Sequence, residues 1–452
     1  MAVQLPLKSL SDESVKLLTQ HLVFIPLDPA IETAKKRGQA PPRSDPKPPL
    51  IMFKVVGENV LVPYKFACAI TQKIHNTDLL HWKILDPQTT PFGVTLHEEQ
   101  VAPATEAYGQ LQTHHTTTLG LPPGFGKTII GAWLGYHLGY MMMIMVPREP
   151  LIDQWVRTFE KCLPAFAPYI WAVGKNEPVC HPPPIIIALD TRISLIPEAY
   201  RPYVGTFIID EAHMLCTHGR VDALLTFQPR YIIMETATLE RDDGLHRAIQ
   251  AMAGEHGVFK ISENPYTVLQ VETGIKVDET TSVRGVNYTE VCKSLAALDD
   301  YNLIILDLVI SNPNHKYILL TRLADHATNL CQWFNERGIS ADTMIRSKKT
   351  YIDSTVLIGT MQKIGVGFDE ENACAEFKGR KSDVMILCHS VKKWQCFEQY
   401  RGRVMRTANP IVIWLNPKNA VCRRHLADLK PWIEQTKGRL SSVMYTPGNV
   451  RF

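Results

Sequence analysis

Two stretches of this chain carry side chains whose types and spacing suit phosphate chemistry. The first is Gly120-Leu121-Pro122-Pro123-Gly124-Phe125-Gly126-Lys127-Thr128, which runs into Ile129-Ile130-Gly131-Ala132-Trp133-Leu134. A glycine turn that ends in Gly-Lys-Thr at a helix start lets successive backbone N–H groups close around a polyphosphate, and the helix dipole adds attraction. Gly124 and Gly126 allow the close backbone approach, Lys127 reaches the β/γ-phosphates, and the Thr128 hydroxyl ligates Mg²⁺. The pattern departs from G-x-x-x-x-G-K-[ST] at one place, since Leu121 stands where the first glycine is expected. The second stretch is Phe207-Ile208-Ile209-Asp210-Glu211-Ala212-His213. Three apolar residues before two carboxylates place the acids at the end of a buried strand, and ligands bind at that edge of a parallel sheet. Asp210 suits the Mg²⁺ that bridges nucleotide phosphates, and Glu211 suits the orientation and deprotonation of an attacking water. An acidic pair at a solvated turn has the same letters. Its place downstream of a Gly-Lys-Thr loop favours the nucleotide.

These residues need rigid elements behind them, and the chain supplies an alternating pattern. Short apolar runs recur at 140–146, 184–189, 206–210 and 230–235, with helical or loop stretches between them. Continuous apolar strands of this kind belong to a parallel sheet covered on both faces. A second α/β pattern follows, with a helical stretch at 288–310, a strand at 317–320 and a helix at 323–337. Further strands are expected at 341–345, 356–359, 384–388 and 411–415. The expected architecture is α/β, with two tandem RecA-like domains built on parallel sheets and a small N-terminal accessory module. The boundaries read as 1–94 for the module, 95–260 for the first domain, 261–286 for a linker and 287–452 for the second domain. Within the module, residues 5–22 suit a helix, 40–49 are proline-rich, and 50–63 alternate around Gly57-Glu58-Asn59 like a hairpin. The tail from Lys418 reads as a surface helix over the second domain.

Composition sets outer limits. The 452 residues suffice for two or three cores, and 45% hydrophobic with 21% charged residues is ordinary for a soluble chain. A net charge of +3 permits a nucleic-acid partner without arguing for one. The ten cysteines include no C-x-x-C pair, and Cys180-His181 and Cys216 near His213 are irregularly spaced for a metal. Buried, reduced thiols fit better. The most apolar run, 140–146, is too short to span a bilayer, so the expectation is a soluble intracellular protein without a membrane partner.

Asp210-Glu211-Ala212-His213 together with the glycine loop resembles the DEAH-type helicases and translocases of superfamily 2. Other motifs of that family can be matched in order. Val146-Pro147-Arg148 through Gln154-Trp155 resembles motif Ia, whose implied role is contact with the nucleic-acid backbone, here by Pro147 and Arg148. Thr236-Ala237-Thr238 resembles motif III, and with His213 these hydroxyls are implied to couple nucleotide state to strand binding. Gln100 stands where an adenine-reading glutamine precedes the loop. Ile318 to Arg322 resembles motif IV, with Arg322 as a candidate strand contact. Ile358 to Asp369 resembles motif V, with Thr360 on the strand and Gly367 and Asp369 at the nucleotide-coupled turn. Gln399-Tyr400-Arg401-Gly402-Arg403-Val404-Met405-Arg406 fits motif VI, Q-x-x-G-R-x-x-R.

On a helix, residues 403 and 406 share a face. A guanidinium keeps its charge and forks two phosphate oxygens. The resemblance implies that Gln399, Arg403 and Arg406 act in catalysis, the arginines as fingers worth roughly 10³–10⁵ in rate.

The resemblance covers about residues 95–415. The V-P-R-x-x-L-x-x-Q-W and T-A-T-L-x-R-x-D-G strings are most like those of DNA-directed helicases: phage UvsW, eukaryotic XPB and the poxvirus transcript-release enzymes. It implies ATP and Mg²⁺ as cofactors, DNA as the favoured substrate, 3′→5′ travel, and a viral RNA polymerase or transcription factor as partner. Duplex translocation without strand separation, an RNA substrate, and a non-hydrolysing nucleic-acid scaffold are the alternatives that these motifs leave open.

Overall fold

The apolar runs become strands whose two faces are both covered. A computed structural model describes residues 1–28, 31, 48–236, 243–262, 264–278, 281–282, 285–365 and 368–452. Thr238 and Gly367 lie outside the described residues, as does most of the proline-rich stretch 40–49. The described chain divides into two compact units, Met1–Leu121 with Phe125–Lys260, and Pro122–Gly124 with Ile261–Phe452.

In the first unit, β1 (Ala2–Pro6), β2 (Lys54–Val56) and β3 (Asn59–Pro63) form a small antiparallel sheet in the order β1-β3-β2. The hairpin expected around Gly57 is therefore β2–β3, and Gly57 sits at a left-handed φ of 59° between them. The helix expected over 5–22 is shorter: Leu5 lies in β1, and the helix covers Asp12–His21 behind a Ser11 cap whose hydroxyl accepts from the Ser14 N–H. Met1, Val3, Leu5, Val60 and Val62 belong to one apolar cluster with Met143, Phe207 and Met234. Hydrophobic burial thus fuses the N-terminal sheet to one face of the main sheet.

That main sheet has seven strands: β4 (Thr116–Gly120), β5 (Met142–Val146), β6 (Ile170–Ala172), β7 (Ile185–Leu189), β8 (Thr206–Ile209), β9 (Tyr231–Thr236) and β10 (Val258–Phe259). Their spatial order is β10-β4-β9-β8-β5-β7-β6, parallel throughout. All five residues of β5 are buried, which is why its methionine-rich run lacks alternation. The opposite face packs on α1 (Glu98–His114), α2 (Lys127–Leu138) and α3 (Glu149–Cys162), around Ile130, Leu134, Trp155 and Phe159.

The second unit repeats the plan. Its strands are β11 (Tyr266–Lys276), β12 (Tyr317–Thr321), β13 (Ala341–Met344), β14 (Val356–Thr360), β15 (Val384–Leu387), β16 (Ile411–Lys418) and β17 (Gly438–Met444). They stand in the order β13-β14-β12-β15-β16-β11-β17, all parallel. Two parallel, helix-covered seven-stranded sheets make this an α/β protein of tandem RecA-like domains.

Three stretches differ from expectation. The linker region 261–286 contains β11, which pairs with both β16 and β17. Its Val268 and Val271 are fully buried, so the polar residues around them, Thr267, Gln270, Glu272 and Thr273, hide a sheet strand. The helix expected over 288–310 is two helices, Tyr288–Ala297 and Asp299–Ile310, separated at Leu298, whose backbone is extended. The tail is not a lone surface helix: Ala420–Gln435 is helical with Leu429 and Ile433 buried, and β17 follows it into the sheet. Among the described residues, no helix is long and apolar enough to cross a membrane, and no group of three or more His, Cys, Asp or Glu can hold a metal ion.

Candidate active site

The chemistry-bearing residues of the first unit gather at the C-terminal ends of β4, β8 and β9. β4 delivers the chain to the glycine loop, and α2 begins at Lys127. Gly124 and Gly126 take left-handed φ values of 84° and 91°, a conformation that glycine adopts without a Cβ clash. A Cβ on Gly126 would also fall 2.3 Å from Gln100 Nε2. Gln100 is buried at the start of α1, where its Oε1 accepts from the His97 N–H and its Nε2 donates to the Phe125 carbonyl at 2.8 Å. In this arrangement Gln100 braces the loop. Both ends of its amide are engaged by the protein, which is not the free edge expected of a base-reading group.

Lys127 Nζ donates to the Leu121 carbonyl at 3.0 Å. Thr128 Oγ1 accepts from Gln154 Nε2 at 3.0 Å. The next residue of α3, the fully buried Trp155, donates from Nε1 to Asp210 Oδ2 at 3.0 Å. One turn of α3 therefore anchors both oxygen donors expected to face Mg²⁺. The resemblance implies contact with the nucleic-acid backbone for this string, whereas the Gln154 and Trp155 side chains brace the nucleotide side. Pro147 and Arg148 do lie at the head of the same helix, just beyond β5.

Asp210 is buried, and its carboxyl is pushed up to about 7 by desolvation and by the Glu211 charge, against the Trp155 hydrogen bond and Lys127. Glu211 sits at a left-handed φ of 49°, which costs a non-glycine residue about 1–3 kcal/mol. His213 Nδ1 lies 3.4 Å from Glu211 Oε2 and 2.9 Å from Thr236 Oγ1, so it links the acidic turn to the end of β9.

The raised Asp210 pKa has a consequence for stability. The folded chain holds a proton that the unfolded chain releases at its ordinary value near 3.8. Stability of the nucleotide-free protein therefore falls as pH rises from about 4 to about 7. We expect Asp210→Asn to raise the melting temperature near neutral pH and to flatten the slope across that window, measured by thermal unfolding in metal-free buffer. An unchanged pH profile would contradict the buried charge.

A third acid belongs to this neighbourhood. Glu235, fully buried on β9, accepts no hydrogen bond from the described residues at either carboxylate oxygen. Sequence reading absorbed it into an apolar core run. The available signal was a lone carboxylate inside Tyr-Ile-Ile-Met-Glu-Thr.

In the second unit the motif residues again lie at strand ends. Arg322 follows β12, donates to Thr289 Oγ1 at 3.3 Å and stacks over the Tyr288 ring. Thr360 ends β14. Asp369 caps the turn Glu370–Ala373 and pairs with Arg406 Nη1 at 2.6 Å. Burial alone would raise the Asp369 carboxyl, but the Arg406 charge and hydrogen bond bring it below its usual value.

Arg403 donates to the carbonyls of Gly365, at 2.8 Å, and Phe368. Gln399 lies half-buried on a helix, α4 (Trp394–Arg401). Arg403 and Arg406 are not on that helix, because it ends at Arg401 and hands over to a run of turns. Gly402, a poor helix residue, marks the break. The structure brings both arginines to the motif V turn through side-chain contacts instead. Arg401, between the motif positions, is fully buried and doubly bonded to Glu398 at 2.7 Å. Its role is to hold α4.

A family model described as the res subunit of type III restriction enzymes matches residues 92–241. The 161L protein of Invertebrate iridescent virus 6, named as a candidate helicase, is 25% identical over 84% of this chain and 88% of its own. The transcript termination protein A18 of Fowlpox virus is 25% identical over 64% of this chain and 66% of its own. Among solved structures, a variant of S. cerevisiae Dbp5 bound to RNA and ADP BeF3 superposes with a TM-score of 0.54 and 11% identity, covering 76% of this chain and 89% of that one. A fragment assigned as an HsdR subunit of a type I restriction enzyme from Vibrio vulnificus YJ016 gives 0.53 and 16%, over 92% and 82%. In fold and in the order of its motifs the chain resembles the superfamily 2 helicases. Within that class, the chain resembles the poxvirus transcript-release proteins and the helicase-named proteins of iridescent viruses.

Proposed function

We propose that this protein is an ATP-driven motor that moves along nucleic acid, with DNA the favoured strand and 3′→5′ the direction that the family likeness suggests. The observation that carries the reading is the gathering of Lys127, Thr128, Asp210 and Glu211 at the C-terminal edge of one parallel sheet. The donor set fits Mg²⁺. Asp210 keeps one oxygen outside its bond to Trp155, Thr128 offers a hydroxyl oxygen, and hard oxygen ligands are what this ion takes. When bound, Mg²⁺ would neutralise charge on the nucleotide phosphates.

The chain's own residues would do the rest. Lys127 exchanges the Leu121 carbonyl for a phosphate oxygen. Glu211 Oε2, which accepts no hydrogen bond from the described residues, takes the proton of the attacking water. Arg403 and Arg406 stabilise phosphate charge by exchanging their present partners, two carbonyls and Asp369. Pro147, Arg148, Arg322 and Thr360 grip the strand backbone, while His213, Thr236 and Thr238 couple the grip to the nucleotide. The A18 relatives are named for transcript termination, which supports a place beside a viral RNA polymerase.

The test compares steady-state ATP hydrolysis with single-stranded DNA and RNA of one sequence. DNA is expected to stimulate more strongly, and stimulation should fall as salt rises because phosphate contacts dominate. Stronger stimulation by RNA would reassign the substrate, and no stimulation by either would overturn the reading.

A further inference from the structure

Glu235 is a buried acid with no hydrogen-bond partner among the described residues, and its surroundings suggest a use. On β9, Ile233 and Glu235 point to the same face, and Ile233 belongs to the apolar cluster of Ile130, Ala132 and Trp155. The Glu235 carboxyl thus enters the layer beneath the first turns of α2. It fits there because residue 131 is glycine: a Cβ at that position would lie 2.1 Å from Glu235 Oε1 and 3.0 Å from the Trp155 ring. Trp155 is the same side chain that holds Asp210. A carboxyl in such a place, with both oxygens unsatisfied, is costly unless something outside the described residues satisfies it. Burial and the Asp210 charge push it well above the usual carboxylate range, Lys127 opposes them, and Glu211 adds to the rise. The groups that feel its charge are therefore those of the phosphate and cation site.

We propose that Glu235 is a third carboxyl of the divalent-cation site, holding the ion's coordinated waters from behind Gly131 while Asp210 and Thr128 face the ion. This rests on the reading of an ATP-bound cation given above. Water must mediate the contact, since no three acids here are close enough to bind an ion directly among the described residues. Mg²⁺ suits this role because it dehydrates reluctantly and keeps several waters when bound. Glu235 is then a positioning residue. When the cation binds, the proton that burial keeps on Glu235 leaves to solvent, its oxygens become acceptors for water hydrogens, and its charge adds to that of Asp210.

The experiment uses the full chain with a saturating non-hydrolysable ATP analogue and Mn²⁺ as the probe, with free Mn²⁺ read from its electron paramagnetic resonance signal. Glu235→Gln keeps the shape and removes the charge, while Glu235→Leu removes an unsatisfied acid from an apolar layer and should not weaken folding. Both are expected to raise the Mn²⁺ dissociation constant about tenfold, the lower end of what outer partners of a metal contribute. Analogue binding without metal should match that of the unaltered protein. Unchanged Mn²⁺ affinity in both variants overturns the proposal, as does a loss of metal-free analogue binding, which would make Glu235 a support of the loop. Asp210→Asn separates the two readings. Unchanged Mn²⁺ affinity in that variant means that the cation site itself has been misplaced.

Discussion

Replacing Lys127 with alanine is expected to reduce nucleic-acid-stimulated ATP hydrolysis on the order of 10²–10³-fold, the usual cost of losing one preorganised charge stabiliser. The ammonium makes one neutral hydrogen bond, to Leu121, which a phosphate oxygen can replace. Its electrostatic partners in the fold are Asp210 and Glu235, both of whose pKa values it lowers. Lys127→Ala should therefore have a second signature: with the opposing charge gone, Asp210 and Glu235 hold their protons to higher pH. The readouts are the steady-state rate with single-stranded nucleic acid and the pH dependence of thermal unfolding. A rate equal to that of the unaltered protein removes Lys127 from the site.

Much of the fold was legible in the sequence because a parallel strand buried on both faces must be apolar throughout. Met142–Val146, Ile185–Leu189 and Val384–Leu387 announce themselves in this way. Tyr266–Lys276 does not. It carries Gln270, Glu272 and Thr273, and its burial alternates, although it pairs on both sides. The break at Leu298 was equally hidden, because helical periodicity runs up to it from both directions.

Within the site, motif order located Lys127, Thr128, Asp210 and Glu211 but not what holds them. Gln154 and Trp155 belong to the same string as the strand-contact candidates Pro147 and Arg148, yet their side chains serve the nucleotide side. Sequence distance does not tell which face of α3 a residue occupies in the packed layer. Glu235 was missed for the opposite reason, since one acid in an apolar strand reads as core until its oxygens are found without partners. The pairing of Arg406 with Asp369 depends on a tertiary turn rather than on any spacing.

Glu211→Gln is expected to lower hydrolysis about 10²–10⁴-fold, the contribution typical of a positioned general base, while leaving nucleotide and strand binding intact. The amide matches the carboxylate in size and can still hydrogen-bond a water, but it cannot take the proton. The backbone supports this assignment independently. Glu211 holds a φ of 49°, and glycine would adopt that conformation at lower cost. The side chain, rather than the backbone, accounts for a glutamate at this position. Among the described residues its Oε2 accepts no hydrogen bond, and His213 approaches it to 3.4 Å, so the carboxylate stands beside a link to Thr236. Glu211→Gly should therefore separate the two contributions, with the melting temperature kept or raised and hydrolysis lost as in Glu211→Gln. Single-turnover hydrolysis beside equilibrium binding of a fluorescent ATP analogue would measure both. Full hydrolysis in Glu211→Gln would transfer the general-base role to another group, and weakened analogue binding would make Glu211 a binding residue.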